Sequence, residues 1–245
     1  TAPRVGMVNR IINGDMRINQ RGYTTASPLN AGAGGFLYIT DRFSAYVSQT
    51  SKMTFGQSTV APSGFINSLN ATTTTAVSVA AGDLFMFNHP IEGLNVADLG
   101  WGTANAATVT LSFWVRSSLT GTFGGALLNS ANNRSYPFTY TISSANTWEQ
   151  KSITVAGDTS GTWLTTNGVG ANVSFGLGMG STYSGTAGAW AGTQYWSATG
   201  ATSVVGTSGA TFYITGVQLE KGSTATDFEY VDYGRQLQMC QRYYE

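Results

Sequence analysis

Charge is what this chain has least of. Asp, Glu, Lys and Arg make up 10% of its residues, against roughly 25% in an average soluble domain. Twelve basic and twelve acidic residues cancel to zero net charge. Binding nucleic acid needs a basic footprint to neutralise phosphates. The densest basic stretch, Arg10, Arg17 and Arg21, is too sparse for that, so no nucleic-acid partner is expected. No apolar run reaches the roughly 20 residues of a membrane helix, so no membrane insertion is expected. A signal-peptide pattern is missing, and the start at Thr1 rather than Met suggests a piece of a longer polypeptide. Cysteine occurs once, at Cys240. One thiol makes neither an internal disulfide nor a zinc site. A fold without disulfides suits assembly in a reducing cytoplasm.

Catalytic signatures are equally scarce. A nucleophilic triad needs a histidine base beside Ser or Cys, and His89 is the single histidine. It precedes Pro90, and the plainer reading is a turn histidine bonded to backbone. No G-x-S-x-G elbow occurs. Sugar hydrolysis needs two carboxylates a few ångströms apart. The acids Asp15, Asp41, Asp83, Glu92, Asp98, Glu149, Asp158, Glu220 and Glu229 are scattered, mostly beside turns. No D-x-D-x-D-G run marks a calcium loop. The expectation is a non-enzyme with no cofactor and no claimed metal.

What fills the space is Thr, Ser, Asn, Gly and Ala, a surface wetted by hydroxyls and amides. Aromatics reach 12%, enough for a true core, so low charge here does not mean disorder. Alternation at period two predicts strands over 108–117, 122–129, 135–142, 149–155, 172–179 and 211–219. In the first of these Val109, Leu111, Phe113 and Val115 share one face, with Trp114 out of phase. Further strands are expected over 8–12, 16–19, 36–47, 52–60, 64–71 and 74–80. Turn signals lie at Asn13-Gly14, Arg21-Gly22, Asn132-Asn133 and 143–146. Residues 84–100 are spaced unevenly around Pro90 and read as an irregular crossing segment with a helical turn at 95–99. The glycines of 172–179 point to a bend or a close backbone approach. Residues 180–210 read as a long loop, and 233–245 as the one helix. Many short strands without βα alternation or a fixed repeat indicate a sandwich or barrel.

Five stretches, in order, resemble a module common in phage and prophage tail fibre proteins: NRIINGDMRINQRG at 9–22, TDRF at 40–43, VTLSFWVRSS at 109–118, RSYPFTYTISSANTWEQKSITVAGDTSGTW at 134–163, and FYITGVQLEKGSTATDFEYVDYGRQLQMCQRYYE at 212–245. None is a catalytic signature; the ordered set is what is specific. The resemblance implies an all-β jelly-roll sandwich similar to carbohydrate-binding modules, with a short C-terminal helix. It implies a structural virion protein in a commonly trimeric tail or head fibre, near the receptor-binding end. A connecting segment at 1–35, a sandwich at 36–232 and a helical segment at 233–245 are expected. Implied partners are copies of itself in a homotrimer, other phage tail or capsid proteins, and a host surface glycan. The alternatives are a purely structural trimeric fibre or head-decoration module and, less favoured, a capsule-degrading glycosidase. Phage fibres of that last kind commonly look like long β-helices, which this short, unrepeated chain does not resemble.

Sugars stack C–H patches on aromatic faces and hydrogen-bond through hydroxyls. Trp101, Tyr183, Trp190, Tyr195 and Trp196 lie in Gly-rich loops flanked by Ser, Thr and Asn, and are the expected glycan-binding set. The plainer reading has them plug the sandwich end or a subunit interface. Trp148 and Trp163 are expected to anchor strand ends. Asp41-Arg42 is expected to form a buried pair that fixes a corner. Leu237, Met239, Cys240, Tyr243 and Tyr244 give the C-terminal helix an apolar face. A helix this short is marginal alone, and subunit contact is the expected use.

Overall fold

The computed structural model describes residues 7–244; the expected connecting and helical segments extend beyond it at residues 1–6 and 245. The first strands in the chain are β1 (Leu29–Asn30), β2 (Leu37–Thr40), β3 (Phe43–Val47), β4 (Met53–Ser58) and β5 (Ser68–Thr73). Then come β6 (Leu84–Glu92), β7 (Val109–Ser117), β8 (Gly121–Asn129), β9 (Ser135–Ile142) and β10 (Glu149–Val155). β11 (Val169–Met179), the short β12 (Ser184–Gly185) and β13 (Ser197–Ala198), β14 (Thr211–Lys221) and α1 (Tyr233–Gln241) complete it.

Two six-stranded sheets carry the fold, ordered β1-β4-β5-β14-β7-β10 and β2-β3-β6-β11-β8-β9. Every pairing within them is antiparallel. The chain passes repeatedly from one sheet to the other, giving a jelly-roll sandwich. Side chains alternate across each strand, so Phe113 enters the core while Trp114 stays half-exposed on the outer face. Phe113 and Phe175 join the two sheets edge to face at 5.0 Å. Phe87 and Phe212 also join them, with tilted rings 6.2 Å apart. Each fully buried Phe contributes about 1.5–3 kcal/mol.

Several expected elements differ. Residues 36–47 form a hairpin, not one strand, because Arg42 takes a positive φ of 69°. The segments 8–12 and 16–19 are not strands. Positive φ at Asn13 and Met16 interrupts them, and their bonds go elsewhere: Arg10 N–H donates to Leu219 O, and Val217 N–H to Gly14 O. Residues 74–80 form no strand either; there Val77 N–H donates to the loop carbonyl of Val205. The largest correction is residues 84–92. They form β6, a central strand buried along its whole length. A strand covered on both faces shows no alternation. Pro90 fits because β3 pairs with β6 only from Phe85 to Asn88, so no ladder bond is asked of its nitrogen on that side. The helical turn expected at 95–99 appears as two short 3-10 turns, Gly93–Asn95 and Ala97–Leu99.

Candidate functional site

The outer face of the second sheet positions the site. One cross-strand row runs Tyr38, Ser44, Asn88, Ser174, Ala126, Pro137, set by the register of β2, β3, β6, β11, β8 and β9. Half of this row is roofed. The Ser174 hydroxyl donates to Trp196 O at 2.6 Å, pinning the 180–210 segment to the sheet. Ser197 then crosses directly over two glycines. A Cβ on Gly124 would lie 2.5 Å from the Ser197 Oγ, and one on Gly176 would lie 2.6 Å from it. The close approach expected from the glycines of β11 is therefore made to this strap.

The other half of the row stays open as a groove of about 250 Å³. Tyr38, Ser44, Asn88, Pro90 and Asn172 form its floor. Phe36 and Trp196 stand together at one side, their rings 6.1 Å apart, and Tyr46 meets Phe36 edge to face at 5.4 Å. Phe36 is 44% exposed. Ser130 and Asn132 bring the β8–β9 turn to the rim, where Asn132 holds a φ of 54°. No ionised side chain lines the groove.

Its polar atoms are incompletely matched. Asn88 Nδ2 donates to Asn172 Oδ1 at 3.2 Å. Asn88 Oδ1, Asn132 Oδ1 and Trp196 Nε1 are buried without a hydrogen-bond partner within the chain. Leaving such an atom unmatched costs about 1–3 kcal/mol.

Of the expected aromatic set, only Trp196 lines this groove. Tyr183 packs beside it over Leu84, Met86, Ala126 and Leu128. The Tyr195 ring covers Gly185. Trp101 and Trp190 lie elsewhere, in a cluster with Trp163 at centroid separations of 4.6–5.5 Å. All three indoles are satisfied internally, by Ala107 O, Ala156 O and Ser160 O respectively. Trp148 lies on the outer face of the first sheet against Tyr213. Sequence reasoning missed Phe36, Tyr38, Asn88, Asn132 and Asn172. The turn signal at Asn132-Asn133 was visible; its neighbours were not.

Acids and the histidine have structural partners. Asp158 pairs with Arg134 through two 2.7 Å bonds. Asp83 accepts from Ser48 and Gln49, Glu149 from Lys151, Asp98 from Arg10, and Glu229 from the Asn9 amide. Asp15 meets Arg17, and Glu220 accepts from Thr226. None of these lines the groove. His89 is no turn residue: it lies in β6, facing inward with its ring edge-on to Phe43 at 4.6 Å. It does bond to backbone, at Pro90 and Ile12. Burial, then the charge of Arg42, pushes its pKa down to about 3. Asp41 and Arg42 are both buried and do fix the corner, yet not by pairing with each other. Asp41 accepts from Gln20, while Arg42 donates to Pro90 O and stacks 3.8 Å over the Tyr243 ring. Among the described residues no group of three His, Cys, Asp or Glu is placed to hold a metal ion.

The C-terminal helix begins at Asp232, whose carboxylate accepts from the amides of Gly234 and Arg235. Cys240 is buried against Ile12 and Ile18, with Leu237, Met239 and Tyr243 packed around them. Glu92 accepts from Arg242 and from the Tyr243 hydroxyl, both at 2.5 Å. Tyr244 is 44% exposed, with the Arg21 guanidinium 4.6 Å from its ring. The apolar face of α1 is thus largely covered by the N-terminal segment of its own chain.

No protein-family profile matches the sequence, and no curated protein matches it. Solved structures show similar folds. The enzymatically active domain of tailspike protein 4 from bacteriophage CBA120 matches at 13% identity and TM-score 0.42, covering 88% of this chain and 22% of that one. A CBM4 module matches at 14% identity and TM-score 0.42, covering 86% and 99%. The family 11 carbohydrate-binding module of Clostridium thermocellum, solved with a β-1,3-1,4-mixed-linked tetrasaccharide, matches at 10% identity and TM-score 0.38, covering 82% and 100%. At such values the likeness assigns neither ligand nor activity to this chain.

Proposed function

We propose that the chain is a glycan-recognition module of a bacteriophage fibre that binds host surface sugars without cleaving them. The observation that carries this is the groove: an uncharged trough with the exposed Phe36 ring on its wall and an amide-rich floor. Aromatic faces and fixed amides are the complement of a sugar's C–H patches and hydroxyls. Binding is favoured over hydrolysis because no carboxylate reaches the groove, and glycoside cleavage needs two. The place on a virion is supported by the ordered sequence stretches that resemble tail fibre modules. Glycan-array binding tests the reading. Phe36→Ala removes an exposed wall residue and is expected to weaken binding at least tenfold with an unchanged melting temperature. No binding to any host-envelope glycan would sink it.

A second reading, a purely structural module in a trimeric fibre or head decoration, has its own observation. Phe65, Phe228 and Tyr230 form a ring cluster beside the first sheet's outer face, with Ile66 66% and Tyr230 57% exposed. Such a patch suits a subunit contact. Sedimentation showing a trimer that Ile66→Asp dissociates would favour it.

A further inference from the structure

We propose that Asn167-Gly168 is a modification site, where the folded chain loses ammonia spontaneously and gains an aspartyl or isoaspartyl carboxylate. The site stands independently of the glycan reading above.

The chemistry needs an asparagine whose side-chain carbonyl the next backbone nitrogen can reach. That nitrogen attacks Cγ. The N–Cγ bond forms, the Cγ–Nδ2 bond breaks, and the amide proton leaves with ammonia. Water then opens the five-membered succinimide. Opening at the side-chain carbonyl gives aspartate. Opening at the main-chain carbonyl gives isoaspartate, whose backbone runs through Cβ and Cγ and is one carbon longer. Water is the only co-reactant. Glycine favours the attack because no Cβ shields its nitrogen or restricts its backbone.

The sequence has two such dipeptides, Asn13-Gly14 and Asn167-Gly168, and the fold treats them oppositely. Asn13 is fully buried. Its Nδ2 donates to Ile18 O and Asp41 O, and its Oδ1 accepts from the Ile18 amide, each at 2.9 Å. Gly14 is pressed against β14, where a Cβ would lie 2.1 Å from Val217 O. The Asn13 side chain cannot turn toward the Gly14 nitrogen without breaking those three bonds. Asn167 is exposed, in an irregular bend ahead of β11. Its side chain bonds to no described residue, and neither does the attacking Gly168 N–H. A Cβ on Gly168 would meet nothing closer than 3.5 Å.

The two products differ in consequence. Thr166 O accepts from the Leu94 amide at 3.0 Å, and Gly168 O from the Gly93 amide at 2.8 Å, so two bonds clasp the bend on either side of Asn167. Aspartate adds a charge and keeps that spacing. Isoaspartate inserts a backbone carbon between the clasped carbonyls and loosens them.

The test incubates the intact chain at pH 8.5 and 37 °C and maps its peptides by mass spectrometry, each event adding one mass unit. A protein isoaspartyl methyltransferase marks the isoaspartyl share. The folded chain is expected to convert Asn167 at least tenfold faster than Asn13. In guanidinium chloride the two rates are expected to come within threefold of each other. Asn167→Gln is expected to remove the folded-state signal, because glutamine would have to close a six-membered ring. In the isoaspartyl fraction the Gly93 and Leu94 amides are expected to exchange hydrogen faster, and unchanged exchange would show that the clasp tolerates the longer backbone. Asn167 that stays intact in the folded chain overturns the proposal, as does Asn13 converting there as fast as Asn167.

Discussion

His89 donates through Nδ1 to Pro90 O and accepts at Nε2 from the Ile12 amide, both as the neutral ring. The unfolded chain takes up this proton near pH 6.5, whereas the folded chain resists it until about 3. Between those values the unfolded state binds more protons, so stability falls as pH falls. Above pH 6.5 the contribution is fully present. His89→Gln is expected to cost about 1–3 kcal/mol at pH 7.5, the size of lost buried hydrogen bonds. The gap to the parent should narrow toward pH 4, read from urea melts at both values. A constant gap would show that His89 is not held neutral. Cys240 behaves in parallel. Burial pushes its thiol up to about 12, and the thiolate is the reactive form. A disulfide reagent at pH 8 is expected to leave the folded chain untouched and to label one thiol in denaturant.

Strands β8 and β11 carry the strap because they lack side chains where it crosses. In Gly124→Ala the new methyl would also lie 3.0 Å from the Ala198 nitrogen, backbone that gives way poorly. The expected cost is about 1–3 kcal/mol, and each kcal/mol lowers the melting temperature by about 2–4 °C in a domain this large. Trp196 hangs on the same strap, so sugar binding should weaken with it. Calorimetry and titration on one sample check both, and an unchanged melt would mean the strap does not pack there. The helix α1 depends on one buried carboxylate. Glu92→Gln replaces the anion that Arg242 and Tyr243 share with a neutral amide, and looser docking of residues 233–244 should appear as faster hydrogen exchange.

At the scale of the molecule, the near absence of charge has a consequence for binding. Exposed ionic contacts weaken as salt rises, and this groove has none. Sugar affinity is therefore expected to stay within twofold from about 0.05 to 0.5 M NaCl in isothermal titration. A steep salt dependence would place the binding site elsewhere. The N-terminal segment and α1 close over each other and over β14 and β6, as Cys240 against Ile12 and Arg10 against Leu219 show. Both sequence ends of the described chain therefore contribute to one packed edge of the sandwich.

The all-β class, the strands β7 to β11 and β14, and the single helix were legible in the sequence. Each rests on alternation and turn chemistry, which act within a few residues: Phe113 beside Trp114, or the αL turns at Asn132 and Asn146. The sandwich also lay within what the resemblance to fibre modules implied. Strand β6 was hidden because the core covers one face and the strap part of the other, so apolar residues run on both faces and the polar Asn88 and His89 sit side by side instead of marking a period of two. The groove was hidden for a related reason. Phe36, Asn88, Asn132, Asn172 and Trp196 belong to separate stretches, and only sheet register sets them side by side. Local pattern by itself determined the strands β7 to β11 and β14, and the core-facing side of β7. Only the tertiary structure decided which aromatics plug the interior and which line an open site, because that depends on where a strap between distant residues crosses the sheet.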